Sequence, residues 1–213
     1  TSIGLATVSS IVTVLFALFL SDTKRNFTLK HRLPDSTFSK ILNIIVSFSG
    51  NLYLAVPSLI MGLGFFLLSQ TYEAPMVVWS TIALLTANVL MSLPFALAIL
   101  APVMQKTAQR YDKLVFSLKL NPLQRWVYCE YPYLKSSIGY VFALSFCFSL
   151  GDLGIIALFG SDEFSTLPWY LYQLMGSYRT SDAAGVALIL LAITLCVFIL
   201  LPRLFRSSVA KDN

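Results

Sequence analysis

Five long apolar runs separated by polar stretches of unequal length set the plan of the chain. Residues 3–20 carry no charge, and at about 1.5 Å per residue a helix over them crosses a hydrocarbon core of about 30 Å. Residues 41–68 form a run longer than one crossing needs, so this second span is expected to tilt, kink at Gly50 or Pro57, or begin as an interfacial segment. The third run, 76 to about 100, contains Asn88 and Pro94. The fourth, about 137 to 159, contains Gly151, Asp152 and Gly154, and the fifth covers 182–201. The pattern predicts an all-α, polytopic transmembrane helical bundle of five spans.

The polar stretch from 108 to 138 predicts two short helices of its own. Tyr111, Leu114, Val115 and Leu118 recur at i, i+3, i+4 and i+7, with Arg110, Asp112, Lys113, Ser117 and Lys119 around them, the arrangement of an amphipathic helix. Asn121 is placed to accept from the free N–H groups of a second helix as its N-cap, and Pro122 suits the first helical position. Leu123, Trp126 and Val127 repeat the apolar spacing, and Pro132 is expected to end this helix, since proline removes a backbone hydrogen bond.

Composition places these runs in a membrane. With 57% hydrophobic and 12% charged residues and a mean hydropathy of +0.76, the chain is too apolar for a soluble domain. A net charge of +5 raises nucleic acid as a partner, but the positions of the charges decide otherwise. Lys24, Arg25, Lys30, Arg32 and Lys40 precede the second run; Lys106, Arg110, Lys113, Lys119, Arg125 and Lys135 lie in the long connector; Arg203, Arg206 and Lys211 close the chain. Of the 15 lysines and arginines only Arg179 falls on the other side, which predicts an N-terminus outside and a C-terminus inside. The cluster at 21–40 could meet an acidic partner; an orienting loop beside anionic headgroups is the preferred reading. His31 within it is read as solvated.

Candidate chemistry is sparse. Cys129, Cys147 and Cys196 lack paired spacing and read as small apolar packers. An ionised carboxylate in a span costs about 2.5–3.5 kcal/mol on insertion scales. Asp152 is therefore expected to line a polar pathway, or to sit near the outer end of its helix held by backbone N–H groups at a glycine break. Phe164, Leu167, Trp169, Tyr170, Tyr172 and Tyr178 suit a short helix lying in the interface, with contact to a cationic ligand as the alternative. The sequence has no phosphate-binding glycine loop ending in Lys-Ser/Thr and no His/Cys metal constellation, so any nucleotide belongs to another chain.

Several motifs carry a resemblance to the membrane subunits of ATP-binding-cassette importers. Leu118, Asn121, Pro122, Trp126, Tyr131, Pro132 and Ile138 fall in the register of their cytoplasmic EAA loop. The Glu-Ala-Ala positions hold Lys113, Leu114 and Val115, and Lys119 replaces a glycine. Lys119 must then take a left-handed conformation or let the turn move to Leu120 and Asn121. Val56-Pro57-Ser58 with Gly62-Leu63-Gly64, and Leu93-Pro94-Phe95-Ala96, resemble earlier segments of the same family. The run Ser149-Leu150-Gly151-Asp152-Leu153-Gly154, followed by Ala157-Leu158-Phe159-Gly160, Thr166-Leu167-Pro168 and Gly176-Ser177-Tyr178-Arg179, resembles the C-terminal half of bacterial thiamine importer permeases, and more weakly that of iron(III) permeases.

The resemblance implies a type I importer permease (MetI-like) fold, one permease domain over 1–213 with a coupling loop at 103–136. The chain opens on Thr1 and is expected to be the C-terminal half of a longer fused permease. Implied partners are a dimer of ABC ATPase subunits, a second permease half, a periplasmic substrate-binding protein and the bilayer of the bacterial inner membrane. ATP and Mg would be bound by the ATPase, and no cofactor or nucleic acid by this chain. Docking is expected at Lys113, Leu114, Val115, Leu118, Lys119, Asn121, Pro122, Arg125 and Trp126, with Arg125 and Lys119 at the rim. Pro57, Gly151, Asp152, Gly154 and Arg179 are expected to form the substrate path or gate, with Asp152 paired to Arg179. The implied activity is alternating access without covalent chemistry, for thiamine or its phosphates. Alternatives are an iron(III) permease, half of an ion-coupled carrier or a membrane-embedded enzyme.

Overall fold

The computed structural model describes residues 2–30, 58–71, 76–159 and 166–205. Among the described residues all regular structure is helical: α1 (Ser2–Lys30), α2 (Ser58–Thr71), α3 (Met76–Ser117), α4 (Pro122–Arg125), a π-helical turn (Trp126–Glu130), α5 (Tyr131–Gly151), α6 (Ile156–Phe159), α7 (Leu167–Gly176) and α8 (Thr180–Leu204). Four stretches within them are long and apolar enough to cross a membrane: Ser2–Asp22, Val77–Tyr111, Leu123–Gly151 and Thr180–Leu204. α2 is a shorter apolar helix. The rest of the expected second span, with Gly50 and Pro57, lies outside the described residues, as do His31, Arg32, Lys40 and Phe164.

Several helix boundaries differ from the sequence reading. α1 continues through the polar residues after Leu20 to Lys30, because no glycine or proline interrupts 21–30 and lysine and arginine are good helix formers. α3 is one helix of 42 residues with Pro94 and Pro102 inside it. At about 63 Å it is twice the length of a crossing, so the expected first connector helix is simply the end of span three. Pro132 does not end a helix either. It stands in the first turn of α5, directly after the π turn, where the Tyr131 N–H reaches back five residues to the Trp126 carbonyl. In an uninterrupted α-helix the Pro132 ring would meet the carbonyl of Tyr128; the wider turn makes room for it. Span four accordingly starts earlier than expected and ends at Gly151, well before Phe159.

α1, α3 and α5 pack on one another to form the centre of the bundle, with α8 against α5. α1 turns Ala6, Ser9, Ser10, Thr13 and Ala17 inward, each at most 1% exposed, while Ile11, Leu15 and Phe19 face outward. This distribution suits a bilayer, where lipid solvates large apolar side chains and small residues let helix backbones approach. Leu93, Ala96 and Leu100 of α3 and Val141 of α5 complete the contact with Val14 and Ala17.

A polar seam runs through the same three-helix contact. The Thr13 and Ser92 hydroxyls meet at 2.9 Å, and the Asn88 amide nitrogen donates to Ser149 Oγ at 2.8 Å. Asn88 is 2% exposed and its Oδ1 has no hydrogen-bond partner. From the sequence Asn88 was legible only as a polar residue within a span; its pairing requires the helix register.

Candidate functional site

The hairpin between α3 and α5 presents an apolar tip with basic residues around it. The last turn of α3 closes in a Schellman cap: the Leu120 N–H donates to the Val115 carbonyl at 3.2 Å and the Lys119 N–H to Phe116 at 3.3 Å. Lys119 occupies the left-handed position of this cap with φ 49°. Of the two outcomes open to the sequence, the chain therefore keeps its turn at Lys119 and places a side chain where glycine is cheapest. At α4 the Asn121 N–H donates to Gln124 Oε1 at 3.1 Å, the half of a capping box in which the third helical residue reaches back.

The expected stripe is not covered by the rest of the chain. Leu114 is 49% and Leu118 61% exposed, Lys113 and Asn121 are exposed, and Val115 and Trp126 are half-buried. Pro122 opens α4. Leu123, part of the expected apolar spacing, is 78% exposed, and beyond that pattern Phe116 (87%) and Tyr128 (72%) stand out from the same hairpin. Phe116 and Tyr128 interrupt the i, i+3, i+4 pattern, which is why periodicity passes over them.

Arg125 departs from its expected place at a solvent-facing rim. Its Nε lies 2.6 Å from Glu130 Oε1, with the two side chains 22% and 7% exposed. Residues five apart point about 140° away from each other on an α-helix, so this partner was invisible to α-helical spacing; the π turn brings it round. Tyr111 near the end of α3 and Tyr133 at the start of α5 share a hydroxyl–hydroxyl hydrogen bond. Their ring centroids lie 5.3 Å apart, so the two helices are tied together at the base of the hairpin.

At the opposite end, α5 breaks at Gly151. Asp152 is half-buried, and its Oδ1 accepts from the Gly154 N–H at 3.0 Å. The break is sunk below the end of the bundle: Ile155, Ile156 and Phe159 pack against Ala83, Leu84 and Ala87 of α3, about 10–16 Å along that helix from Met76. Such non-helical backbone is tolerated at membrane depth where protein covers it. Gly62 of α2 provides the cover, since a Cβ there would come within 3.2 Å of Ile155 Cα.

Gly151 is exposed and Gly154 half-buried beside Asp152, while Pro57 falls outside the described residues. Arg179 pairs with Asp182 at 2.6 Å on an exposed surface rather than with Asp152. The neighbouring α7 is the expected aromatic helix, capped by Thr166 and closed by a second Schellman turn with Tyr178 at φ 58°. Its Trp169 and Tyr172 rings stack at 5.7 Å.

No family model matches the sequence. Curated relatives do. The thiamine transport system permease protein ThiP of Escherichia coli (strain K12) is 33% identical over all 213 residues of this chain, which cover 38% of that protein. ThiP of Brucella abortus (strain 2308) is 39% identical over 165 residues, 78% of this chain and 30% of its own length. The chain is similar in sequence to part of the ThiP thiamine transport permeases. It spans between 30% and 38% of the length of these two relatives. A putative 2-aminoethylphosphonate transport system permease protein, PhnV of Salmonella paratyphi A, is 26% identical over 153 residues.

Proposed function

We propose that this chain is a permease portion of an ATP-driven importer and helps form the translocation path for thiamine or its phosphates. The observation that carries the reading is the 33% identity to a thiamine permease across the whole chain. The exposed apolar and basic hairpin supports it as well, because a membrane subunit that hydrolyses nothing needs a surface through which an ATPase can move it. In this reading a dimer of ATPase subunits binds ATP and Mg and seats the tip from Lys113 to Trp126. A second permease half completes the path, and a periplasmic binding protein delivers the ligand. With the apolar run of 41–68 read as a further crossing beside the four described ones, the chain has five spans in the bacterial inner membrane, with the hairpin and C-terminus cytoplasmic. Asp152 at the sunken break then belongs to the path or its outer gate, steadied by Gly154 and not by Arg179.

The test is uptake of radiolabelled thiamine by proteoliposomes holding the full-length permease, its ATPase and its binding protein. Import that requires ATP and the ATPase is expected. Import driven by an ion gradient without ATP would replace this reading with the coupled carrier, and ATP-dependent import of iron(III) but not thiamine would retain the permease and change its substrate. Orientation is checked separately. A single cysteine at Lys113 is expected to resist an impermeant thiol reagent in intact cells, whereas one at Tyr178 reacts.

A further inference from the structure

We propose that the partly buried Arg125–Glu130 pair holds the π turn in register, and that Glu130 is thereby a positioning residue that fixes the direction in which α4, in the hairpin tip, faces relative to α5. The proposal deepens the reading of the hairpin as the ATPase-docking surface and rests on it. Three features of one short segment support it. The tip is attached to α5 through a single turn of π-helix, Trp126–Glu130. A π turn is an α-helix with one residue too many for its winding, so its loss would turn α4 and the exposed Leu123 by about 100° about the α5 axis, against the end of α3 that carries Leu118.

The ion pair resists it. Hydrogen bonds in a π turn join residues five apart, placing positions i and i+5 nearly one above the other; Arg125 and Glu130 stand at that spacing, 2.6 Å apart. In an α-helical register the same two side chains would diverge by about 140°, and this contact to a carboxylate that is 7% exposed would be lost. Breaking a buried pair is costly because the remaining charge has been removed from water. The Tyr111–Tyr133 hydrogen bond anchors the base of the hairpin, and the tip joins that base through the continuous end of α3 on one side and the π turn on the other. Of these two arms the π turn is the one that joins α4 directly to α5, and its register sets the angle at which α4 meets α5.

The experiment uses the full-length permease assembled with its ATPase in proteoliposomes, and reads thiamine imported per ATP hydrolysed alongside the amount of ATPase copurified. Glu130→Gln is expected to keep at least half of the copurified ATPase and of its hydrolysis while lowering thiamine per ATP at least fivefold. Deleting Tyr128, an exposed residue of the π turn, converts the turn to α-helical winding and is expected to have the same effect with Arg125 and Glu130 intact. The charge-swapped Arg125→Glu, Glu130→Arg variant is expected to recover at least half of the lost coupling; a purely local packing role predicts no such rescue. Normal thiamine per ATP in both Glu130→Gln and the Tyr128 deletion would overturn the proposal. If Glu130→Gln fails to accumulate in the membrane, the swap decides: a swap no better than the single variant overturns it. The two readings fail separately, since an unaltered protein that neither binds an ATPase nor imports thiamine refutes the docking function, whatever the variants do.

Discussion

Replacing Gly139 by alanine sets two opposed effects against each other, and the structure predicts which wins. In the middle of α5 alanine is favoured over glycine by about 1 kcal/mol through backbone entropy. A Cβ on Gly139, however, would lie 2.6 Å from Phe205 Cβ, 2.8 Å from its Cγ and 3.0 Å from Cδ2. Carbon atoms rest at about 3.5–4.0 Å, so the gap must open by about 1 Å. Phe205 Cβ cannot rotate away as a ring edge can; the end of α8 has to move. Overpacking of this kind costs about 1–3 kcal/mol, which leaves a net loss of about 1 kcal/mol after the helix gain and a lower apparent melting temperature. Gly64 and Gly185 have nothing within 4 Å of the added atom, so alanine there keeps the helix gain alone and is expected to raise the melting temperature. Gly62, 3.1 Å from Leu158 Cδ1 and 3.2 Å from Ile155 Cα, falls between. The assay is thermal unfolding of the detergent-purified full-length protein, followed by size-exclusion fluorescence. A Gly139→Ala protein as stable as Gly64→Ala refutes the contact, as does a penalty that persists when Phe205 is also changed to glycine.

Lys119→Gly is expected to be neutral or to stabilise by up to about 1 kcal/mol, because relief of a left-handed side chain exceeds the added flexibility of the unfolded chain; a lower melting temperature in the same assay would contradict the cap geometry. In the buried seam, Ser149→Ala is expected to cost about 1–3 kcal/mol by leaving the Asn88 amide without its bonded partner. Asn88→Ala loses one interhelical hydrogen bond, worth about 0.6 kcal/mol in such bundles, and also removes the unpartnered Oδ1. It is therefore expected to be the milder change, and the reverse order in melting temperature would refute the seam.

The apolar runs, their length against a bilayer and the bias of lysine and arginine were enough to define a helical membrane protein, and the spaced motifs led to the permease homology that the relatives bear out. These are one-dimensional properties: a span is set by hydrophobic length, and a connector by its charges. The structure decided where continuous helices run. Polar residues after Leu20 and after Leu100 extend α1 and α3 because helical winding needs no apolar environment. It also decided which side chains meet. Glu130 finds Arg125 only through a π turn that α-helical periodicity does not contain. Asn88 finds Ser149 across sixty-one positions of sequence, and Arg179 takes its near neighbour Asp182 in place of Asp152. Lys119 left two backbone solutions open to local reasoning; the cap's two hydrogen bonds select the left-handed one. Pairings of this kind depend on winding and helix register, which tertiary packing sets, whereas the spans depend on transfer from water to lipid, which each segment undergoes largely by itself.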